Sequence, residues 1–248
     1  SPIGQKETHK FLSALNDFYR TSRFNDFFNT HTDIYELGLQ VFNDSVMAHF
    51  DQEWYTRFYG TPPAEQFRII IGFTNGPCNY GPSRKLTGQP KEVFAIMNYA
   101  VDDNERPIFY KKVVETVVHE FCHSFTKIKG DTEKALEKSG KALQEYTYFS
   151  MRRQAYSTWR NILEESLVRA ATICYLIDHN YDEKDIRNAI IEQVDRNFFW
   201  MPELVQTLRY YESHRKKYPT FTSFYPEIIR FFDRYVTNME KEMKKAMK

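Results

Sequence analysis

The chain has 248 residues, of which 42% are hydrophobic and 27% charged, which excludes a disordered or fibrous protein and allows a sizeable core. Lys plus Arg number 34 against 33 Asp plus Glu, so a net charge of +1 gives no overall field for drawing in nucleic acid or an anionic membrane. The longest apolar stretch, 168–177, is too short to span a bilayer and is interrupted by Arg169 and Thr172.

Taken in order, the first sixty residues read as helices. Phe11, Leu12, Leu15, Phe18 and Tyr19 recur at helical spacing, and a second run from Asp33 carries Tyr35, Leu37, Leu39, Phe42 and Met47. Gly60 and the pair Pro62-Pro63 break the pattern, and the β-branched run 67–74 predicts a strand. Four Gly or Pro residues in 75–82 predict a loop, 93–99 a second strand, and Pro107 the approach to a helix running to about Lys127. Beyond Gly130 amphipathic periodicity predicts helices over roughly 131–150, 155–179, 183–197, 201–215 and 225–247, with Pro202, Pro219 and Pro226 near starts. The reading is α+β, predominantly α, in one unit spanning 1–248: helices, a small sheet and a central helix to about 130, then a helical part. Its closing residues, 239–248, form a solvated helical end. The 21 Phe and 17 Tyr suit either a large helical core or a groove for a polymer.

The chemistry concentrates in 117–123, which contains His-Glu-x-x-His: His119, Glu120 and His123. Two histidines at i and i+4 share one helix face, so both rings can reach one zinc ion. Glu120 points about 100° around the axis from His119, where it can reach a water without binding the metal. Val113, Val114, Val117, Val118, Phe121 and Phe125 make this helix a buried one. Cys122 faces away from the histidines, as core; Cys78, Cys122 and Cys174 are too widely spaced for a disulfide framework or a thiolate site. His9, His31, His49 and His179 have no spacing partner and read as structural. A catalytic zinc commonly takes a third protein ligand. The metzincin extension would place Gly and His at 126 and 129, and these are Thr126 and Lys129. The best candidates are the adjacent carboxylates Glu164 and Glu165, set in an otherwise apolar helical stretch.

With these residues the sequence resembles the gluzincin metallopeptidases, in which a Glu from a downstream helix joins the two histidines. Their Asn-Glu pattern, laid on 163–169, puts Glu165 at the ligand and Glu164 where Asn usually stands. Thermolysin-like members have an Asp four residues later, where this chain has Arg169, and Glu164 stays open as the alternative ligand. The chain also resembles a family of uncharacterised exported proteins from gut Bacteroidota, through its Asn-Tyr-Gly loop, its His-Glu-Phe-x-His helix and its Glu-Ser-Leu-Val-Arg-Ala segment.

The resemblance implies a zincin-like fold and a zinc-dependent peptidase with Glu120 as general base. It also implies a strand before the active helix that is either a substrate-pairing edge or an ordinary half-buried strand. Asn98, Tyr99 and Tyr80 are the candidate substrate contacts on it and on the nearby loop, and Tyr211 or His214 the candidate stabiliser of the oxyanion. A peptide or protein substrate and a monomeric state are expected, with no nucleic-acid partner and no membrane span. The chain starts Ser-Pro-Ile-Gly without Met, and the expected location is extracytoplasmic (secreted, periplasmic or lipid-anchored), with the signal segment outside this sequence. The competing functions are a catalytically silent zinc-binding scaffold and a zinc hydrolase of a non-peptide or cell-wall amide.

Overall fold

A computed structural model describes residues 4–76, 79–110 and 112–246. Along the chain run α1 (Gln5–Thr21), α2 (Phe24–Thr30), α3 (Thr32–Ser45), a single 3-10 turn (Met47–His49), α4 (Glu53–Tyr59), β1 (Gln66–Ile71), β2 (Ser83–Arg84), β3 (Glu92–Met97), β4 (Ala100–Val101) and β5 (Pro107–Ile108). Then follow α5 (Lys112–Cys122), α6 (Asp131–Tyr146), α7 (Tyr148–Arg153), α8 (Trp159–Asp178), α9 (Glu183–Asp195), α10 (Met201–Ser213) and α11 (Phe221–Ala246). The fold is α+β and mostly helical, and among the described residues no helix is long and apolar enough to cross a membrane. Where the sequence suggested one unit divided near residue 130, contacts group the chain into two: Ser1–Ala48 with Tyr99–Tyr110, and His49–Asn98 with Lys111–Lys248.

In the first unit, rings link the three helices in turn. Phe24 lies 6.2 Å from Phe18, and Phe28 stacks on Tyr35 at 4.7 Å. Phe42 of α3 meets Phe109, just beyond β5, edge to face at 4.9 Å. Pro107 does not lead directly into a helix as the sequence suggested. It sits in β5, antiparallel to β4 (Ala100↔Ile108, Val101↔Pro107). The physical reason is Asp102, whose Oδ1 accepts from the N–H groups of Asn104 (2.8 Å) and Arg106 (2.9 Å), so its side chain folds the chain back.

In the second unit the sheet has the order β1-β3-β2. β1 runs parallel to β3 in the register Gln66↔Glu92 to Ile71↔Met97, and β2 is antiparallel to β3. An isolated bridge, Tyr80↔Ile96, carries that antiparallel pairing back into the expected loop; Pro77 and Cys78 of that loop lie outside the described residues. β3 therefore has neighbours on both sides and is not an edge that could receive a substrate, which corrects that half of the expectation. Its burial follows from its place, with Val93, Ala95 and Met97 all buried.

Stacked aromatic rings fill much of this unit's core. Phe67 stacks on Phe121 at 4.1 Å, Tyr59 on Phe125 at 4.2 Å and Trp54 on Phe58 at 4.4 Å. The two indole N–H groups are satisfied: Trp54 Nε1 donates to Asp178 Oδ2 at 2.7 Å, and Trp200 Nε1 to Ser166 Oγ at 2.9 Å. Helix α8 is the buried axle of the unit, packed against α5, α6 and α10. Gly140 lets α6 approach it, since a Cβ there would lie 2.5 Å from the Trp159 ring.

Helices α7, α8 and α9 end alike. Ala155, Asn180 and Asn197 all have positive φ, and each following N–H (Tyr156, Tyr181, Phe198) bonds back five residues, as in a Schellman turn. Asn tolerates this conformation, whereas Ala155 at φ 66 carries a Cβ penalty. Ala155→Gly is expected to raise stability by about 1 kcal/mol, read as a higher melting temperature; an unchanged or lower one would contradict the strained turn. The expected helix over 131–150 breaks at Thr147. The last helix starts at Phe221 rather than near Pro226, because Thr220 and Ser223 cap it reciprocally at 3.1 and 3.2 Å.

Candidate metal centre

Two helices build the centre. Helix α5 buries Val114, Val117, Val118, Phe121 and Cys122 in the core, and this turns His119 and Glu120 toward the open side. The helix ends at Cys122, short of the expected 127, and His123 sits in the closing turn, still one turn beyond His119. Helix α8 starts at an N-cap Thr158, whose hydroxyl accepts from the Asn161 N–H at 3.2 Å, and brings both carboxylates to α5.

The two carboxylates separate by role. Glu164 Oε1 accepts from the Ile128 N–H at 2.8 Å and its Oε2 meets Lys127 Nζ at 3.1 Å, which ties down the segment after α5. Glu165 turns to the histidines: Oε1 lies 3.3 Å from His119 Nε2 and Oε2 3.6 Å from His123 Nε2. Among the described residues, His119, His123 and Glu165 form a cluster whose ligand atoms all lie within 4.8 Å of one another.

Two atoms each about 2.0–2.1 Å from a tetrahedral zinc lie about 3.3–3.5 Å apart. The His119–Glu165 separation of 3.3 Å matches this edge and the His123–Glu165 separation of 3.6 Å is slightly longer, and imidazole, imidazole and carboxylate are zinc donors. The protonation states suit as well. Burial drives the His123 imidazole down to about 4, and the neighbouring His119 adds to the effect, so it is neutral as a ligand must be. Burial pushes the Glu165 carboxyl up but is outweighed by His119, Arg169 and His123, which hold it well below the usual carboxylate range. The residues fit zinc.

Glu120 is half-buried beside the cluster. Burial raises its carboxyl above the usual range and the negative Glu165 adds to this, against the opposing pull of His119 and Arg169. Its Oε2 approaches Gly81 so closely that a Cβ on Gly81 would lie 2.2 Å from it. The bridge at Tyr80 thus brings the Asn-Tyr-Gly loop against the candidate base.

Sequence reasoning missed two residues of this site. Arg169 NH2 lies 2.8 Å from Glu165 Oε1, so the position that departed from the thermolysin-like pattern holds the carboxylate directly. Arg169 also donates to the Tyr156 hydroxyl at 3.0 Å, bonds Gln193 and lies over the Phe198 ring, so its cation is fixed. Tyr156 lies upstream of Glu165, on the chain's entry into α8, whereas the expected phenol lies downstream, and its sequence surroundings carry no metal-site signal.

The other expected contacts lie elsewhere. The Tyr211 hydroxyl donates to the Phe58 carbonyl at 2.7 Å and is bonded by Arg215. His214 stacks on Tyr210 at 3.9 Å with Nδ1 2.9 Å from the Tyr210 carbonyl oxygen. No residue of the His–His–Glu cluster is among these partners. Asn98 gives its N–H to Asn79 Oδ1 at 2.9 Å, which steadies the loop; Tyr99 belongs to the other unit, and Tyr80 is half-exposed. Cys122 is buried and unpaired, its thiol pushed by burial up to about 12, as expected of a core cysteine.

The molecule is thus an α+β, mostly helical chain with a His–His–Glu cluster between a buried helix and its neighbour. It belongs to the family described as Domain of unknown function (DUF4932), whose profile matches residues 3–231. No curated protein and no solved structure matches it.

Proposed function

We propose that the protein is a zinc-dependent metallopeptidase of the gluzincin kind, with the small sheet, α5 and α8 arranged as in a zincin. The observation that carries this reading is the convergence of His119, His123 and Glu165 beside the half-buried Glu120. The three would hold a zinc ion, which when bound supplies a Lewis acid that polarises a carbonyl and acidifies water. Glu120 takes the proton of the attacking water and delivers it to the leaving amine; the burial that raises its carboxyl makes it a stronger base than an exposed Glu. Arg169, anchored by Tyr156 and Gln193, keeps Glu165 oriented toward the histidines.

The segment 80–84 supports a peptide substrate. Tyr80 exchanges both backbone bonds with Ile96, and the Pro82 carbonyl accepts from the Phe94 N–H. Strand alternation then directs the N–H and C=O of Gly81 to the opposite edge, beside Glu120, where an extended backbone can pair. Gly81→Ala is expected to displace Glu120 and lower turnover about a hundredfold with zinc content unchanged; wild-type turnover in that variant would remove Gly81 from the account.

The reading is tested by digesting a mixed peptide library with zinc-loaded, chelated and reloaded protein, read by mass spectrometry. Cleavage that disappears with the metal and returns with it is the expected result. No cleavage by zinc-loaded protein would overturn the peptidase reading in favour of a silent zinc site or a non-peptide amide substrate.

A further inference from the structure

A cavity of about 210 Å³ opens between the end of α6, α7 and the entry to α8, lined by Gln144, Tyr148, Met151, Arg152, Tyr156 and Ser157. It shares Tyr156 with the metal centre, since that hydroxyl accepts from Arg169, and Arg169 holds Glu165. The Tyr156 ring thus lies between the cavity and the Arg169–Glu165 pair.

Its walls are preformed. The Gln144 amide donates to the Ser157 carbonyl at 2.9 Å, and the Tyr156 N–H bonds the Met151 carbonyl at 2.9 Å, so α6, α7 and the entry to α8 are locked together. Met151 is fully buried and lines the cavity together with Tyr148 and Tyr156. An apolar cavity of about 150 Å³ is enough to hold benzene, so this one admits a phenyl or phenol side chain.

One wall is cationic. The Arg152 guanidinium lies 5.8 Å from the centre of the Tyr148 ring and donates to its hydroxyl at 2.5 Å. Among the described residues no carboxylate forms an ion pair with Arg152, so its charge is directed at the cavity and the solvent.

We infer that this cavity is a side-chain subsite of the metal centre, taking an aromatic residue of a peptide whose adjacent carboxylate is received by Arg152. The inference rests on the peptidase reading and adds to it the substrate class: aromatic–acidic peptides. The carboxylate has two sources, the side chain of a following Asp or Glu or the peptide's own C-terminus.

Binding can be measured without turnover. Zinc-loaded Glu120→Gln protein is titrated by NMR with N-acetyl-Phe-Glu-amide, N-acetyl-Ala-Glu-amide, N-acetyl-Phe-amide and N-acetyl-Phe as the free acid. The expected result is at least tenfold tighter binding of Phe-Glu than Ala-Glu, and at least fivefold tighter than Phe-amide. The free acid matching Phe-Glu would identify the chain terminus as the natural carboxylate; the free acid binding like Phe-amide would identify the side chain. Ser157→Trp, which fills the cavity from an exposed position, should abolish the Phe preference, and Arg152→Gln the carboxylate preference. Both variants are checked for wild-type melting. No binding, equal binding of the Phe and Ala compounds, or a Phe preference surviving Ser157→Trp would overturn the subsite. These ratios are independent of cleavage: a library digest without products overturns the peptidase reading, whereas cleavage without aromatic preference overturns the subsite alone.

Discussion

Glu120→Gln is expected to lower kcat by about 10²–10⁴, the usual contribution of a positioned general base, while the protein still binds one zinc ion. That loss corresponds to about 3–5 kcal/mol of transition-state stabilisation. The amide has the shape of the carboxylate and still fits against Gly81, so packing on α5 is preserved. What it lacks is the ability to take a proton, which is the proposed role of Glu120. Zinc binding is untouched because the cluster consists of His119, His123 and Glu165 without it. The check pairs steady-state kinetics with metal analysis on the same preparation. Turnover retained within tenfold of wild type would remove Glu120 as the base; loss of zinc together with turnover would make it a ligand or a structural support.

Glu165→Ala should produce the largest effect on the metal, at least a hundredfold loss of zinc affinity, since one of three donors disappears. It should also destabilise the metal-free fold. Arg169 is almost fully buried and paired with Glu165, and removing one partner of a buried pair costs about 3–5 kcal/mol. Zinc affinity by competition with a chelating dye, and melting of metal-free protein, separate the two effects. Glu164→Ala supplies the contrast. It should leave zinc affinity within threefold and cost only about 1–2 kcal/mol, the loss of the acceptor for the Ile128 N–H and of a mostly exposed partner. If the two variants exchanged phenotypes, the assignment of the adjacent carboxylates would be reversed.

These contrasts also mark how far the sequence reaches. His119, Glu120 and His123 were legible because helical spacing is local: four residues make one turn, and the valines identify the buried side. The pair Glu164 and Glu165 was legible as a pair, because charge inside an apolar helix stands out. Which of them faces the histidines depends on the rotation of α8 against α5, a tertiary property that the periodicity of 161–170 does not encode; only the resemblance to the gluzincin pattern pointed to Glu165. The same limit explains Tyr156 and Arg169, one on the turn entering α8 and one a turn past the ligand, joined only in space.

The strand assignments show the complementary case. The runs 67–74 and 93–99 were legible from β-branched composition, close to the observed β1 and β3. The position of β3 in the middle was not, because its antiparallel neighbour is a two-residue strand extended by a single bridge at Tyr80, inside a stretch whose Gly and Pro content reads as loop. Asp102 hid in the same way, since one side chain accepting two backbone bonds turned an expected approach to a helix into a hairpin.

The central claim is that His119, His123 and Glu165 hold a zinc ion, and metal content with location tests it most directly. Wild-type protein, His123→Ala and Glu165→Ala would be dialysed against micromolar zinc and analysed for bound metal, and crystals of the wild type measured at the zinc absorption edge. One equivalent of zinc is expected in the wild type and little in either variant, with an anomalous peak between the three side chains. No stoichiometric zinc, or a peak elsewhere in the molecule, would contradict it.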